Sequence, residues 1–486
     1  MNSNDIVGKV ISINGTPNTS EFWFVVLGNV KKDDFVSVKV GDEDLLCRVD
    51  EIVSGNEYFS VPETMKEFSP EDFFPTSEWE FSMARSIPLM VMPSKSRLLY
   101  PVHPGDRVEK ADESLIKSFY SFDDNGLFLG KKGNIDVKLN LSKLFQKHVA
   151  ILAMSGAGKS YLTSVIIEEL LKRPKSRSLS VVLFDVHGEY TQFYEDKKFR
   201  DRVELFPVDE IRIAANKMSP TWPLFKSLSS AQRRLLGSAI RKLKKEKRVF
   251  SIDDMISFIE NENKKGSSAV ADYLEELKDM KLFGVSDSPA IENLCKQGFL
   301  SIIDFSKTIS QKKRQLIVQY FGSQMFSMRM KGSIPPFVFI VEEAHNFAPQ
   351  NVEIEKSISR GIIEKIAREG RKFGASLMMI SQRPVHLSTT ALSQCGTKII
   401  LRVTNPYDID NIKRSSEGLD ASVLNKMPSL SVGEAIIVGE ATGFPLVFKV
   451  RKKEVMDSDK GFDLESLAEK YAERERKGDD DLNAFM

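Results

Sequence analysis

Residues 153–160 read AMSGAGKS and lie between two segments of different character. The run VAIL at 149–152 is typical of a buried strand, and apolar residues recur at helical spacing from 162 to 170. A strand, a Gly-rich turn, Lys-Ser and a helix in this order predict a phosphate-binding loop. In such a loop, successive backbone N–H groups and the helix N-terminus face phosphate oxygens. A Gly-rich surface turn is the alternative, but both flanking segments favour the phosphate-binding loop.

The residues of this loop have separate expected roles. We expect Lys159 to reach the β- and γ-phosphates of ATP and the Ser160 hydroxyl to ligate Mg²⁺. The strict pattern begins with glycine, where this chain has Ala153, so the signal is weaker at that position. The predicted nucleotide-binding residues are Ser155, Gly156, Ala157, Gly158, Lys159, Ser160 and Tyr161.

A second apolar run, FVFIV at 337–341, ends in two carboxylates, Glu342 and Glu343. Ligands of open α/β sheets bind at the carboxyl ends of the strands, so both side chains should face the phosphate-binding loop. We expect Glu342 to hold Mg²⁺ through its water shell and Glu343 to polarise the attacking water. A solvated acidic turn after a buried strand is the alternative, which the presence of the phosphate-binding loop disfavours.

Two further strand ends carry polar residues of interest. The run ASLMMI at 375–380 precedes Gln382, whose amide can sense the γ-phosphate and orient water. The run VVLF at 181–184 precedes Asp185. Asp185 either helps to position water or metal or caps the following turn, and the sequence leaves these two roles open.

Hydrolysis also requires a cation against the charge that builds on the γ-phosphate. Arg371 is the first candidate, and in ring-shaped ATPases such a cation often comes from the neighbouring subunit. For most of the candidates a solvated surface charge is the alternative. The other candidates are Lys147, Arg368, Lys372, Arg383 and Arg402.

Composition limits the class of protein. A chain of 486 residues can form two or three domains, and its net charge of +1 means that a DNA-binding surface must be a local patch. The basic run 307–314 is either such a patch on a loop or a solvated helix start. Three widely spaced cysteines, no visible signal peptide and apolar runs too short for a bilayer predict a cytoplasmic protein without a membrane segment.

The alternation of strand and helix patterns predicts an α/β fold with a largely parallel sheet. We expect an N-terminal small β-barrel at 1–112, since short β-branched and aromatic runs are punctuated there by Gly, Asn and Asp. The ATPase core should span 113–219 and 298–455, with a hairpin near 126–130 and a charged helical insertion at 220–297. A charged tail follows at 456–486.

Together these motifs resemble the HerA branch of the HerA/FtsK superfamily of hexameric DNA-pumping ATPases. The chain departs from that pattern at Ala153, where glycine is usual, and at Glu342, where many relatives carry Asp. The matching stretches are HVAI at 148–151, DVHGEY at 185–190, EEAH at 342–345, EGRKFG at 369–374, ISQRP at 380–384, residues 395–406 and residues 433–445.

The resemblance implies a RecA-like P-loop core and a homohexameric ring with ATP sites between subunits and double-stranded DNA in its channel. It also implies a NurA-type nuclease as partner, alongside the Mre11–Rad50 machinery, in resecting DNA ends for recombinational repair. Two other classes stay open. One is a scaffold or switch whose nucleotide only stabilises assembly, and the other is a translocase for another polymer, of the conjugation or secretion type.

Overall fold

The computed structural model describes residues 6–12, 17–56 and 80–456, apart from 248, 263, 351, 353–356, 417 and 420, and the short pieces 465–466, 468–469 and 471–472. The chain forms two compact units, residues 1–124 and 125–486. The predicted tail at 456–486 lies almost entirely outside the described residues. No helix among the described residues has both the length and the apolar character needed to cross a bilayer.

The first unit contains a closed antiparallel barrel, which confirms the predicted small barrel. Alternate side chains of its strands point inward, so Phe22 and Phe24 are buried while Trp23 between them is not. The strand order is β1-β2-β5-β4-β3-β6. The elements are β1 (Ile6–Ile11), β2 (Phe22–Val26), β3 (Phe35–Val40), β4 (Glu43–Asn56), β5 (Glu80–Met92), β6 (Arg107–Lys110) and the helix α1 (Glu113–Phe119).

The second unit is built on an 11-stranded sheet. Its order is β11-β14-β10-β15-β16-β9-β17-β18-β19-β7-β8, and the strands from β11 to β17 in that order are parallel. These strands are β7 (Leu127–Lys132), β8 (Ile135–Leu139), β9 (Val149–Leu152), β10 (Ser180–Asp185), β11 (Val203–Pro207), β14 (Leu300–Asp304), β15 (Phe337–Val341), β16 (Ala375–Ser381), β17 (Thr397–Ile400), β18 (Glu434–Gly439) and β19 (Leu446–Val450).

The remaining strands form an antiparallel end to this sheet, where β7 and β8 make the hairpin that the sequence predicts. The central strands β10 and β15 are buried along their whole length, as apolar strands between helices must be. The sheet therefore agrees with the predicted α/β class. The helices here are α2 (Leu141–Phe145), α3 (Lys159–Lys172), α4 (Gln192–Glu195), α9 (Gln311–Met330), α10 (Arg360–Glu369), α11 (Thr389–Ser393), α12 (Pro406–Arg414) and α13 (Ala421–Lys426).

The predicted helical insertion contains four helices among its described residues and also contributes to a short strand pair, β12 (Ile213–Ala214) with β13 (Phe283–Gly284). Its longest helix begins at a capping box, in which the Ser229 hydroxyl accepts from Gln232 N–H. Leu243 of this helix is buried beneath the basic run 241–247, which is therefore a solvated helix face. The helices are α5 (Ser230–Glu246), α6 (Ile252–Asn261), α7 (Ser267–Asp279) and α8 (Ile291–Leu294).

The basic run 307–314 divides between a loop and a helix. The helix α9 begins at Gln311, and Ser310 caps it by accepting from Lys313 N–H at 3.2 Å. Three of the four cations in this run have structural partners or are buried. Lys312 pairs with Glu276 at 2.6 Å, Lys313 is buried, and Arg314 donates to backbone carbonyls of the preceding loop. These three cations therefore belong to the helix start and are not part of a basic patch on the loop. Lys307 is the one cation of this run that is exposed on the loop.

Candidate nucleotide-binding site

The phosphate-binding loop joins the buried strand β9 to the helix α3. Gly156 and Gly158 have φ values of +75° and +97°, which glycine adopts without strain. A Cβ atom on Gly156 would meet nothing within 4 Å, so the backbone is open to a ligand at this point. Ala153 is fully buried at the end of β9 and its N–H donates to Ser381 O at 3.3 Å. Its backbone thus extends the pairing of β9 with β16 by one residue.

The charged and hydroxyl groups of the loop lie at the start of α3. Lys159 Nζ lies 3.5 Å from Met154 O, so the ammonium group folds back over the loop. The Ser160 hydroxyl donates to the carboxylate of Glu189. The Tyr161 hydroxyl accepts from Lys453 N–H at 2.8 Å, so this side chain contacts the C-terminal segment and a nucleotide contact would fall to its backbone.

Asp185 and Glu342 form a buried carboxylate pair at the ends of the adjacent strands β10 and β15. Glu342 Oε2 accepts from Val186 N–H at 2.7 Å. Burial raises the pKa of both carboxyl groups, and that of Glu342 is raised further by the negative charge of Asp185. A cation near this pair would favour its ionised form, which fits the predicted role of Glu342 beside Mg²⁺.

Both oxygens of Asp185 are occupied by backbone amides of the following turn. Oδ1 accepts from Gly188 N–H at 2.8 Å and, at 3.2 Å, from the two amides on either side of it. Oδ2 accepts from Tyr190 N–H at 2.9 Å. Of the two roles that the sequence leaves open, the geometry therefore supports the cap on this turn.

Glu343 has an unusual backbone conformation, with φ +46° and ψ +47°. Left-handed backbone is costly for a residue with a Cβ atom, and such strain concentrates at functional sites. Its Oε2 atom is buried and accepts no hydrogen bond among the described residues, although His345 Nδ1 lies 3.3 Å away. Burial raises the pKa of Glu343 and nearby Lys159 opposes that rise. A buried carboxylate with one unsatisfied oxygen can take a proton from water.

His345 supports the end of this strand as a neutral group. Burial lowers its pKa to about 4, and the positive charges of Arg383 and His386 act in the same direction. Its Nδ1 also lies 3.0 Å from Ser381 Oγ, which accepts from Arg383 N–H. Gln382 lies between Ser381 and Arg383, directly after β16. Because β16 pairs with β9, Gln382 lies beside the phosphate-binding loop. The structure thus brings Gln382 to the edge where the sequence expects it.

The donor set fits Mg²⁺ bound together with a nucleotide. Among the described residues, no group of three or more His, Cys, Asp or Glu side chains is arranged to hold a metal ion. Mg²⁺ commonly takes only one or two protein ligands and completes its shell with water and substrate phosphates. Ser160 would ligate the ion directly and Glu342 would hold it through its water shell, and the open backbone at Gly156 leaves room for the phosphates.

The candidate cations separate onto two edges of the sheet. Arg383 and Arg402 are exposed and follow β16 and β17, at the edge that carries the phosphate-binding loop. The other four lie at the opposite edge, where the same strands begin. They line a cavity of about 820 Å³ together with Lys398 and Arg414, and are Lys147, Arg368, Arg371 and Lys372. Arg371 therefore lies at the edge of the sheet opposite to the phosphate-binding loop of the same chain and cannot reach it.

Sequence reasoning gave Glu189 no role, although it lies in the quoted stretch at 185–190. The structure joins its carboxylate to the Ser160 hydroxyl, the predicted Mg²⁺ ligand. Its position could have been predicted, because an acidic residue on the short turn after a buried strand must lie at the carboxyl edge of the sheet.

A phosphate-binding loop with carboxylates on neighbouring parallel strands defines a P-loop ATPase with a RecA-like core. The structure of VirB4 of Thermoanaerobacter pseudethanolicus has this fold, with a TM-score of 0.54 and 14% identity over 68% of this chain and 97% of that one. Residues 126–325 match the family model described as helicase HerA, central domain.

Two relatives extend this similarity along the chain. A probable helicase of Methanocaldococcus jannaschii is 29% identical over 100% of this chain and 99% of its own length. The DNA double-strand break repair helicase HerA of Saccharolobus solfataricus is 30% identical over 72% of this chain and 73% of its own. The chain belongs to the HerA family of ATPases.

Proposed function

We propose that this protein is an ATP-driven double-stranded DNA translocase and helicase that works as a homohexamer. The observation that carries this proposal is the separation of the two halves of one catalytic site. Lys159, Glu342 and Glu343 lie at one edge of the sheet, and Arg371 lies at the opposite edge of the same sheet. A ring of identical subunits brings the second edge of one copy to the first edge of the next.

The proposed reaction assigns one task to each group. Lys159 neutralises charge on the β- and γ-phosphates, while Ser160 and Glu342 hold Mg²⁺, which offsets phosphate charge when bound. Glu343 accepts the proton of the attacking water, and Gln382 orients that water. Arg371 of a neighbouring copy stabilises the charge that develops on the γ-phosphate. A scaffold that only binds nucleotide has no need of the strained Glu343, so hydrolysis is the better interpretation.

We also propose that the protein acts with a NurA-type nuclease, alongside the Mre11–Rad50 machinery, in DNA end resection for recombinational repair. The support is membership of the HerA family and the name of the Saccharolobus solfataricus relative, a DNA double-strand break repair helicase. The cell compartment that follows from this role is the cytoplasm.

The test is ATP hydrolysis with and without linear double-stranded DNA, at about 50 mM and about 200 mM salt. We expect strong stimulation that fades as salt rises, because contacts with phosphates release counterions. The assay is repeated with the purified nuclease added. An ATP hydrolysis rate that is the same with and without DNA at both salt concentrations, in the presence and in the absence of the nuclease, would contradict the proposal.

A further inference from the structure

We propose that Glu189 is a positioning residue that connects the Ser160 hydroxyl to an exposed loop, residues 305–310, whose tip contacts the DNA backbone. The identity of the polymer rests on the proposed function. The connection itself rests on contacts inside this chain, from the start of α3 through the turn after β10 to the loop after β14.

The first contact joins the ATP site to the turn. The Ser160 hydroxyl has one proton to donate and lone pairs to offer, and its proton goes to Glu189. This leaves a lone pair for Mg²⁺, and a cation on that oxygen strengthens the hydrogen bond to the carboxylate. Glu189 thus orients a metal ligand in the way that carboxylates commonly orient ligands from behind.

The second contact makes the turn a rigid unit. Because the Asp185 carboxylate binds four successive amides, a pull on Glu189 moves residues 187–190 together. The turn is also held from below by Tyr190, which is fully buried. A displacement of the Glu189 side chain therefore moves the whole turn, including the side of the turn that faces the loop at 305–310.

The third contact joins the turn to the loop. Gly188 has φ +74°, and a Cβ atom at this position would lie 3.1 Å from Ser306 Cβ and 3.3 Å from its Oγ. Phe305 N–H donates to Asp185 O at 2.8 Å on the same side. Glycine is needed for this approach, so the turn and the base of the loop are in direct van der Waals contact.

The loop has a fixed base and an exposed tip. Ser306 N–H donates to Asp304 Oδ1 at 2.8 Å, and the Arg314 guanidinium donates to Phe305 O at 3.1 Å and also to Thr308 O. At the tip, Lys307 is exposed and Ile309 is fully exposed, at 101%. A cation beside an apolar side chain suits a phosphodiester strand, because the ammonium meets phosphate and the isoleucine meets the sugar.

The connection is tested without DNA, by hydrogen exchange of residues 305–310 in the full-length protein. Exchange is measured with and without Mg²⁺ and a non-hydrolysable ATP analogue, in the wild type and in E189A, E189Q and E292A. Glu292 is an exposed glutamate far along the chain and serves as the matched control. Glu189 is itself exposed, so its replacement should not unfold the protein.

We expect Mg²⁺ and the analogue to slow exchange of the loop several-fold in the wild type and in E292A. E189A should still bind the analogue and lose this response, while E189Q should keep part of it, because its amide oxygen can accept from Ser160. A loop that does not respond in the wild type, or that responds in full in E189A, overturns the connection.

The tip is tested separately, by the ratio of ATP turnover with DNA to turnover without it. We expect K307A and I309A each to reduce that ratio about tenfold, with K265A and V285A as exposed controls in the helical insertion. An unchanged ratio in K307A and I309A overturns the tip as the DNA contact. A wild type without stimulation contradicts the proposed function instead, and the exchange experiment still decides the role of Glu189.

Discussion

The two edges of the central sheet differ in the charged side chains that they carry. The edge where the parallel strands end holds Asp185, Glu189, Glu342 and Glu343 around the start of α3. The edge where they begin holds a cavity lined by cations, and Glu440, paired with Lys147, is the single carboxylate among the lining residues that the structure describes. A carboxylate-rich edge needs cations to bind a triphosphate and hydrolyse it, and this chain keeps most of its candidate cations on the other edge.

In the proposed ring, one chain would supply two half-sites, and each would be completed by another copy. His148 links the two regions mechanically, since it directly precedes β9. Its Nδ1 accepts from Leu377 N–H at 3.0 Å and its Nε2 donates to Ala367 O at 2.9 Å. The strand that leads to the phosphate-binding loop is therefore hydrogen-bonded to the end of the helix that precedes Arg371.

The largest expected effect is at the carboxylate-rich edge. Lys159→Ala should reduce ATP turnover by about a thousandfold or more, because this ammonium lies over the phosphate-binding loop, where it would offset the charge of bound phosphates. Steady-state hydrolysis measures this, with K265A as the control for loss of an exposed lysine. Turnover within a fewfold of wild type would mean that Lys159 does not bind phosphate.

Glu343→Gln should keep ATP binding and reduce turnover by at least about a hundredfold, since the amide cannot accept the proton of water. A fluorescent ATP analogue measures binding, and single-turnover hydrolysis measures the chemical step. Glu292→Gln, at an exposed position in the helical insertion, is the matched control. Normal turnover in the Glu343 variant would remove this residue as the base.

Arg371→Ala tests whether the second edge acts across an interface. When this variant is mixed with wild type in equal amounts, we expect activity well below half, because each variant copy disables its neighbour's site. R241A, an exposed arginine of the helical insertion, is mixed in parallel as the control. Activity that falls only in proportion to dilution would exclude Arg371 as a residue that acts on another copy.

The smallest effect concerns stability and pH. Burial lowers the pKa of His148 to about 4, from an ordinary value of 6.5. As the pH falls below 6.5 the unfolded chain takes up this proton and the folded chain does not. The free energy of unfolding therefore declines by up to about 3 kcal/mol between pH 6.5 and pH 4 on account of this group.

His148→Gln should make that decline shallower, since glutamine cannot take up the proton but can accept from Leu377 N–H and donate to Ala367 O. Thermal unfolding at a series of pH values measures the difference between the two proteins. His103→Gln, at an exposed position in the first unit, is the control. Parallel pH profiles for wild type and His148→Gln would refute the role assigned to His148.

Local patterns in the sequence were sufficient to predict the parallel sheet and most of the residues at the edge where its strands end. The run Phe337–Val341 is a strand with the predicted bounds, because five successive apolar residues leave a buried strand as the stable choice. Glu342 directly follows a strand, Gln382 directly follows another, and Lys159 follows β9 after the phosphate-binding loop. The sequence therefore predicts that all three lie at the carboxyl edge, and their roles stay predictions. The short strand β11 was missed, since its burial is only partial and its pattern is weak.

By itself the sequence determined the class of core, the barrel, the helical insertion and the order in which the candidate site residues occur along the chain. Only the tertiary structure decided which of these groups meet. The Ser160–Glu189 contact, the separation of Arg371 from the phosphate-binding loop and the internal use of Arg314 all depend on strand order. The physical reason is that periodicity reports which side of one element is buried, whereas contacts between elements distant in the chain depend on how those elements pack together.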